Sequence, residues 1–398
     1  MIQRQAYKYR LKTKTAEELL MRQFAGCCRF VWNKALALQK ERLDAGERTI
    51  SYNKLALLLP SWKKDHPFLN DAPSQTLQQV LMNLDRAIKD AFDPKQPEKL
   101  FPVFKKKGKS RDSFRYPQGF KINGKRVFLP KIGWVGFRKS RDTEGAPKNI
   151  TVSRNGKHWF ASIQTEQEAA EPIHPSGSLV GIDRGVKQFA ALSDGSVFAP
   201  LNSFKKMEEK LAKEQRKLAR KIKKSKNWFK QKSRITKLHI KIADMRSDYL
   251  HKLSTTISKN HAVVVLEELK VKNMSASAKG TKEAPGKRVK QKSGLNKAIL
   301  DQGWGYFRLM LEYKQARLGG WVVYVNPAYT SQTCSRCGHI HPGNRKSQAE
   351  FVCLSCGFTA NADLNAAINI KRAGHAQLAC QANGAVMPSA TGTSRLAA

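Results

Sequence analysis

The spacing of apolar residues divides the chain into stretches that predict different secondary structures. Residues 6–13 alternate apolar and polar side chains, which indicates a strand with one solvated face. Between residues 15 and 92 the apolar positions recur every three or four residues, the spacing of helices that pack on one side. Residues 118–166 return to alternation, and Asn155-Gly156 is typical of a hairpin turn. We therefore expect helices between two strand-rich stretches.

The second half alternates short apolar strands with helices. LVGID (179–183), AVVVLEE (262–268) and WVVYV (321–325) have the length and composition of buried strands. FAALSDGSVFA (189–199) is typical of a hairpin, and amphipathic helices separate the three strands. This order of elements is that of a ribonuclease H-like α/β sheet. The sequence thus predicts a multidomain α+β and α/β protein, divided by a polar linker at 166–178.

The charge of the chain points to a polyanionic partner. Lys and Arg number 73 against 31 Asp and Glu, which gives a net charge of +42 and a pI near 10.2. Because the excess is spread along the chain, the folded protein would repel itself unless a polyanion neutralised it. Nucleic acid is the expected partner. For any single lysine, a solvated surface remains an equally good interpretation.

A membrane partner is the weaker interpretation of this charge. No helical stretch pairs a lysine face with a broad apolar face, as a membrane-surface helix does. No apolar run approaches the roughly 18–20 residues of a membrane span, and the N-terminus lacks the apolar core of a signal peptide. We expect a cytoplasmic protein, associated with the nucleoid when it holds DNA.

Four cysteines have the spacing of a zinc site. CSRC (334–337) and CLSC (353–356) are separated by 15 residues, within the range of a Cys₄ zinc site. Four thiolates close the tetrahedron and leave no open position, so the ion would be structural. A redox pair does not account for two such knuckles in tandem. The predicted ligands of one Zn²⁺ are Cys334, Cys337, Cys353 and Cys356.

Three carboxylates lie at the ends of predicted core elements. Asp183 and Glu267 end buried strands, and Asp363 lies near the start of an apolar-faced helix. If they meet at one sheet edge they repel one another unless hard cations lie between them, and Mg²⁺ prefers such oxygens. Two ions roughly 3.5–4 Å apart would activate a water and stabilise a leaving oxygen at a phosphodiester. Simpler interpretations stay open: Asp183 is also a common residue type at the start of a turn, Glu268 competes with Glu267, and the helix dipole favours Asp363.

Several basic stretches are candidates for nucleic-acid contact. FPVFKKKGKSRDSFRYP (101–117) mixes lysines with aromatic residues, which suits phosphates and stacked bases. Residues 272–294 are basic and poor in apolar residues, so we expect a mobile loop or one ordered by nucleic acid. The candidate contacts are Gln75, Gln78, Lys105, Lys106, Lys107, Lys109, Arg111, Lys221, Lys223 and Lys224.

These motifs together resemble the TnpB family, the RNA-guided nucleases of bacterial insertion sequences and relatives of type V CRISPR effectors. The motifs of the second half are GIDRGV (181–186), VVLEELKVKNM (264–274), PAYTSQTCSRCGH (327–339), FVCLSCG (351–357) and NADLNAAINI (361–370). Those of the first half are CRFVWNKAL (28–36), PSQTLQQVL (73–81) and FKKKGKSRDSFRY (104–116). The resemblance covers nearly all of the chain except about the last twenty residues. It departs at Glu268, where the family usually has Asp, and this change keeps the charge.

The resemblance implies a domain plan. An N-terminal wedge β-barrel would be interrupted by a helical recognition domain, and a RuvC-like nuclease domain would carry a zinc-ribbon insert. The implied boundaries are 1–14 and 116–170 for the barrel, 15–115 for the helical domain, 178–326 and 361–376 for the nuclease, 327–360 for the zinc insert, and 377–398 for a disordered tail.

The resemblance also implies an activity: RNA-guided cleavage of double-stranded DNA by a protein encoded on a transposable element. The implied partners are a guide RNA from the element's end and a target next to a short motif, with a protein that is monomeric on its RNA. The catalytic, Mg²⁺-binding residues would be Asp183, Glu267 and Asp363.

Two other functions remain open at this stage. A cleavage-deficient RNA-guided repressor would have lost a carboxylate, and all three are present. A transposase needs a His-apolar-His pair followed by a nucleophilic tyrosine. His339-Ile340-His341 fits the pair, but it lies between the cysteine knuckles and no tyrosine follows it. The transposase, or an accessory transposition factor, is therefore the weakest of the three.

Overall fold

The computed structural model describes residues 2–382 and separates them into two compact units. One unit ends at Ala170 and the other begins at Glu171, inside the polar stretch expected to be a linker. Within the described residues, no helix is both long and apolar enough to cross a membrane.

The first unit contains a seven-stranded antiparallel sheet of order β2-β6-β7-β1-β5-β4-β3. Its inward face carries large side chains such as Tyr7, Tyr9 and Trp159, which the alternation of the strands places on one side. The strands are β1 Ile2–Lys12, β2 Ser113–Tyr116, β3 Lys121–Asn123, β4 Arg126–Leu129, β5 Gly133–Arg138, β6 Ala146–Asn155 and β7 His158–Glu168.

Three helices lie between β1 and β2, as the three-to-four spacing predicts. They are α1 Thr15–Asp44, α2 Tyr52–Asp65 and α3 Ser74–Phe92, with a 3-10 turn at Pro67–Asn70. The side chains of Leu77, Leu81 and Leu84 form the buried stripe of α3 and join the core of the sheet. Helices and sheet therefore share one hydrophobic core in this unit.

The second unit contains a five-stranded mixed sheet of order β10-β9-β8-β11-β12. The three apolar segments of the sequence form its parallel part, and the predicted hairpin adds two antiparallel strands at one side. The strands are β8 Leu179–Asp183, β9 Ala190–Leu192, β10 Val197–Phe198, β11 Val263–Glu267 and β12 Trp321–Val325. A separate small hairpin consists of β13 Glu350–Val352 and β14 Thr359–Asn361.

The helices of the second unit, within the described residues, are α4 Lys205–Ala219, α5 Lys226–Asn260, α6 Val271–Met274, α7 Val289–Gln302, α8 Trp304–Leu318 and α9 Ala362–Ala382. Two glycines allow α9 to lie directly on the sheet. A Cβ on Gly181 in β8 would overlap the Ala367 carbonyl oxygen, and one on Gly374 would overlap the Val265 side chain. This close packing fixes α9 relative to β8 and β11.

Two expectations about order were wrong in part. Residues 289–294 of the basic segment belong to α7, and the Lys292 ammonium donates to the Met274 carbonyl oxygen at 2.7 Å, so local contacts order this stretch. The expectation of a disordered tail at 377–398 was wrong for its first residues, because α9 continues to Ala382 and Leu378 packs on the apolar cluster beneath the helix. Residues 383–398 lie outside the described part of the chain.

Candidate functional site

Asp183 and Glu267 lie side by side at the ends of two parallel strands. The register of β8 and β11 pairs Ile182 with Leu266, so the next residues, the two carboxylates, are neighbours at one sheet edge. The carboxyl ends of parallel strands are where open α/β sheets hold their ligands. Asp363, in the first turn of α9, is brought to the same edge by the packing of that helix on β8.

The other two carboxylates act electrostatically on Asp183. Burial, followed by the negative charges of Glu267 and Asp363, raises the pKa of Asp183 from its ordinary 3.8 to about 7. Arg345 and Arg184 lower the same pKa. A half-buried carboxyl with two acidic neighbours prefers a cation beside it, because two arginines compensate only part of its desolvation.

Two polar contacts fix Glu267. The Thr330 hydroxyl lies 2.6 Å from Glu267 Oε1 and donates to it, and Arg184 Nη2 donates to the Glu267 carbonyl oxygen at 2.5 Å. Burial raises the pKa of Glu267, while the Thr330 hydrogen bond and Arg184 lower it. Glu267 is buried and its competitor Glu268 is exposed, so strand alternation directs Glu267 into the site.

Asp363 is held at the start of α9 by its neighbours. The Asn361 side-chain oxygen accepts the backbone N–H groups of Asp363 and Leu364 at 3.0 and 3.1 Å and so caps the helix. Arg345 Nη2 lies 3.2 Å from Asp363 Oδ1. Burial raises the pKa of the Asp363 carboxyl, and the charges of Arg345 and Lys187 lower it.

Three further residues at this edge have no distinct signature in the sequence. Arg345 lies in a basic loop between the knuckles, where nothing distinguishes it from Lys346. Thr330 lies outside any strand or helix, and Arg184 belongs to the GIDRGV motif, which by itself assigns it no role. Contact with the carboxylate residues, across 18 to 83 residues of sequence, is what singles them out.

The four cysteines form a tight cluster in the second unit. Among residues 2–382 they are the one group of three or more His, Cys, Asp or Glu whose ligand atoms all lie within 4.8 Å. The sulfurs of Cys334 and Cys356 are 3.8 Å apart, and those of Cys337 and Cys353 are 3.6 Å apart. Zinc–sulfur bonds of about 2.3 Å give a tetrahedron with edges of about 3.8 Å. The cysteine cluster is therefore compatible with a zinc ion.

Each knuckle repeats the same turn. The N–H of Gly338 donates to the carbonyl of Cys334, and the N–H of Gly357 to that of Cys353, at 2.9 and 3.0 Å. Both glycines have positive φ, +80° and +68°, which L side chains adopt at a cost. The turns aim the sulfurs inward.

His339 and His341 lie outside this ligand set. Their rings stack on each other with centroids 6.1 Å apart, and His341 Nδ1 accepts the N–H of Gly343. The described side chains thus give the cysteine cluster four sulfur ligands and no imidazole.

The carboxylates are spaced more widely than the sulfurs, because among residues 2–382 only the cysteines bring all their ligand atoms within 4.8 Å. Carboxylate oxygens are the ligands that hard divalent cations prefer, and the burial of the site and the negative charges around Asp183 favour a cation there.

The basic loop separates into two kinds of lysine. The Lys105 ammonium lies 3.6 Å from the centroid of the Trp32 ring, and its backbone N–H and carbonyl bond the Asn33 side chain. Burial lowers the pKa of Lys105. By contrast, Lys106, Lys107 and Lys109 are exposed. The exposed three have the freedom to reach a phosphate.

The other candidate contacts also differ in exposure. Arg111 is exposed, and its guanidinium donates to Ser153 Oγ at 3.0 Å. Gln75 and Gln78 are half-buried on α3. Lys223 and Lys224 are exposed in the turn between α4 and α5, whereas Lys221 is half-buried.

Comparison with known families gives three matches. Residues 162–278 match a family described as "Probable transposase", and residues 304–370 match the "Cas12f1-like, TNB domain". Residues 1–48 match a "Helix-turn-helix domain". The first two matches cover β8, β11 and the cysteine cluster, the parts that carry the candidate site.

The fold belongs to a recognisable class. It is a multidomain mixed α/β fold like that of the solved "Cas12f1-sgRNA-target DNA complex", with a TM-score of 0.51 and 18% identity over 89% of this chain and 82% of that one.

Two relatives then define the family. The chain is 53% identical to the Escherichia coli (strain K12) protein named "Putative RNA-guided DNA endonuclease InsQ", over 94% of each chain. It is 32% identical to a Streptomyces pristinaespiralis protein named "Putative RNA-guided DNA endonuclease", over 95% of this chain and 91% of that one. The chain belongs to the TnpB family.

Proposed function

We propose that this chain is an RNA-guided DNA endonuclease encoded by a transposable element, which cleaves double-stranded DNA complementary to its guide. The observation that carries the proposal is the meeting of Asp183, Glu267 and Asp363 at one sheet edge, in a chain 53% identical to a protein named as such an endonuclease. The +42 charge supports binding of RNA and DNA together. The proposal places the complex in the cytoplasm, with one protein chain per guide.

The proposed domain plan divides each of the two units. We assign the seven-stranded sheet to a wedge barrel and α1–α3 to an inserted recognition domain. The five-stranded sheet with α9 is assigned to a RuvC-like nuclease domain, and residues 327–360 to its zinc-binding insert. In this plan the first unit reads the target-adjacent motif, while the second cleaves.

The residues of the sheet edge have distinct parts in the proposed reaction. Asp183, Glu267 and Asp363 would hold two Mg²⁺ ions, which supply an activated water and charge stabilisation at the leaving oxygen. Thr330 occupies one oxygen of Glu267 and leaves the other for a cation. Arg345 offsets part of the charge of Asp363, and its guanidinium offers further donors to a phosphate oxygen.

The cysteine cluster would hold one structural Zn²⁺. Its four sulfurs fill a tetrahedron, so no position remains for water or substrate. The thiolates order the segment that carries Arg345 and Thr330 on either side of the first knuckle. Zinc binding would thereby help to place Arg345 and Thr330 at the sheet edge, because it folds the segment that carries them.

Sequence specificity is assigned to the guide RNA. A protein reads a heteroduplex through backbone and shape, and base pairing supplies the sequence. The exposed lysines of both units suit that role, since phosphate contacts position a nucleic acid and base contacts specify it.

The test is to express the protein with and without its element's flanking sequence and to sequence the RNA that copurifies. We expect one discrete RNA, and Mg²⁺-dependent cleavage of DNA that matches its guide segment. A complex reprogrammed with a second guide should cut the second target and spare the first. Efficient cutting of one fixed site by RNA-free protein would refute the proposal, and binding without cutting would favour the repressor.

A further inference from the structure

A chain of buried and partly buried hydrogen bonds joins the cysteine cluster to Glu267. It begins beside Cys334, passes through two asparagines on α9 and ends at the Thr330 hydroxyl. None of these connecting side chains is among the proposed Mg²⁺ and zinc ligands.

The asparagines hold the backbone on both sides of the first zinc ligand. Asn365 Oδ1 accepts the N–H of Ser335 at 2.9 Å, and its Nδ2 donates to the Thr333 carbonyl at 2.8 Å. These are the residues directly after and before Cys334. Asn365 is fully buried, so its amide is committed to this segment.

Asn369 carries the connection one helical turn further. Its Nδ2 donates to the Thr333 carbonyl at 2.7 Å and to the Thr330 carbonyl at 3.0 Å. Because Asn365 and Asn369 are four residues apart on α9, they lie on one face of the helix. One amide group thus ties the zinc knuckle and Thr330 to the same point of α9.

Thr330, which Asn369 holds in place, orients the Glu267 carboxylate through a hydrogen bond. Its hydroxyl has one hydrogen and lies 2.6 Å from Glu267 Oε1, against 3.1 Å from the Pro327 carbonyl, so the proton goes to the carboxylate. The bond fixes the rotation of the Glu267 carboxylate and turns Oε2 away from Thr330.

Apolar residues would satisfy this helix face more simply. Asparagine is a poor helix former, and a buried amide costs free energy unless its bonds are made. The neighbours Ala366 and Ile370 show that α9 buries apolar side chains against the unit. Asparagines at two buried positions are explained by the bonds they make to residues 330–335.

We propose that Thr330 and Asn369 are positioning residues, through which the placement of the zinc knuckle sets the geometry of Glu267 for binding a divalent cation. This inference rests on the proposed function, because Glu267 must be a metal ligand for its orientation to matter. Groups that hydrogen-bond metal-binding carboxylates typically contribute about 10–100-fold to metal affinity or activity.

The first test is Thr330→Val, which keeps the branched shape and removes the hydroxyl. We expect the Mg²⁺ concentration for half-maximal cleavage to rise about 10-fold, while saturating Mg²⁺ restores much of the rate. Thr330→Ser should return the Mg²⁺ dependence to that of the wild type. Thr236→Val is the matched control, because the Thr236 hydroxyl on α5 donates to the Lys232 carbonyl, away from the carboxylates and from residues 330–335.

A readout without catalysis uses Mn²⁺ bound to the guide-RNA complex, followed by electron paramagnetic resonance. The Mn²⁺ that still binds to the Asp183→Ala complex measures the ions held by RNA, and this amount is subtracted from the Mn²⁺ bound to the other complexes. Thr330→Val should weaken the remaining Mn²⁺ binding and leave zinc content and target affinity unchanged. Wild-type Mg²⁺ dependence and Mn²⁺ binding in Thr330→Val would overturn the inference, as would an equal loss of zinc or target binding.

Asn369→Leu tests whether the two residues act in series. It should shift the Mg²⁺ requirement in the same direction, and the double variant should shift it little more than Thr330→Val does, since residues in one network are not additive. If the shifts in Mg²⁺ requirement of the two single variants add in the double variant, Asn369 does not act through Thr330, and the inference is overturned. If Asn369→Leu does not fold, the Thr330 variants still decide the role of the hydroxyl. A wild type without Mg²⁺-dependent cleavage would instead refute the proposed function.

Discussion

The two units carry their candidate functional side chains in opposite ways. In the second unit, Asp183 and Glu267 are enclosed at neighbouring strand ends, where burial raises both pKa values and repulsion adds to the shift at Asp183. In the first unit, Lys106, Lys107 and Lys109 project from an exposed loop. Buried charges depend on fixed partners. Exposed charges are screened by salt, and a neighbouring lysine can take over the role of one that is lost. One substitution should therefore be decisive in the second unit and nearly silent in the first.

The largest effect should follow the loss of one carboxylate at the sheet edge. Asp183→Ala removes a ligand shared by the proposed metal pair, which should cost several kcal/mol of transition-state stabilisation, or at least about 1000-fold in cleavage rate. Target affinity should stay within about twofold, because phosphate contacts are untouched. Single-turnover cleavage and equilibrium binding on the same complex measure the two quantities.

Asp244→Ala is the matched control, since Asp244 is an exposed acid on α5 of the same unit. It should cleave at the wild-type rate. A cleaving Asp183→Ala complex would show that the buried edge is not the catalytic site, and the contrast between the units would disappear.

The next effect should come from the cysteine cluster. Cys353→Ser should remove zinc and unfold the segment around the knuckles, because metal binding and folding are linked. Elemental analysis and hydrogen exchange of residues 327–361 report the two losses together. Cys380→Ser, which changes an exposed cysteine outside the cluster, should leave both unchanged. Zinc-free wild-type protein with full protection of this segment would contradict a structural metal.

The two candidate metal sites differ in how far the sequence predicts them. The cysteines lie within 23 residues of one another, so their spacing alone specifies the tetrahedron that the sulfurs form. Asp183 and Glu267 are brought together by strand pairing, and the apolar strands that end on them make this pairing predictable. Arg345 and Thr330 could not be predicted, because their positions depend on how irregular backbone folds around the zinc knuckles.

Local secondary structure is likewise predictable from the sequence only in part. The alternation of β1 and the apolar stripe of α3 are predictable because burial on one face sets both patterns. The composition of the basic segment before α7 predicts irregular structure. Composition does not reveal a bond such as that from Lys292 to the Met274 carbonyl.

A smaller effect, in stability, should depend on pH. The folded protein raises the pKa of Asp183 from 3.8 to about 7, so the native state binds this proton more tightly than the unfolded chain. The favourable contribution is complete below pH 3.8 and is lost as pH rises through about 7. The loss is at most about 4 kcal/mol, at roughly 1.4 kcal/mol per pH unit. Thermal unfolding in Mg²⁺-free buffer between pH 5 and 8 should show it.

Mg²⁺ should restore the lost stability at pH 8, because cations replace the missing protons. Asp183→Asn should flatten the pH dependence and reduce the gain from Mg²⁺. Equal pH profiles for wild type and Asp183→Asn would mean that the carboxyl is solvated in the folded protein, as the lysines of the first unit are.

The smallest effects should come from the exposed loop of the first unit. Changing Lys106, Lys107 and Lys109 together to Gln should weaken guide-RNA binding and flatten its salt dependence, by up to about 0.7–0.9 log units per log unit of salt for each phosphate that is no longer neutralised. The target sequence should stay the same, because the guide specifies it. Lys105→Gln should behave differently, because the Lys105 ammonium packs 3.6 Å from the centroid of the Trp32 ring. This substitution should lower the thermal stability clearly and change the salt dependence of RNA binding only slightly. Filter binding across a salt series and thermal unfolding separate the two outcomes. If Lys105→Gln changes the salt slope as much as the triple variant, the half-buried Lys105 also binds a phosphate, and exposure does not distinguish the phosphate-binding lysines of the loop.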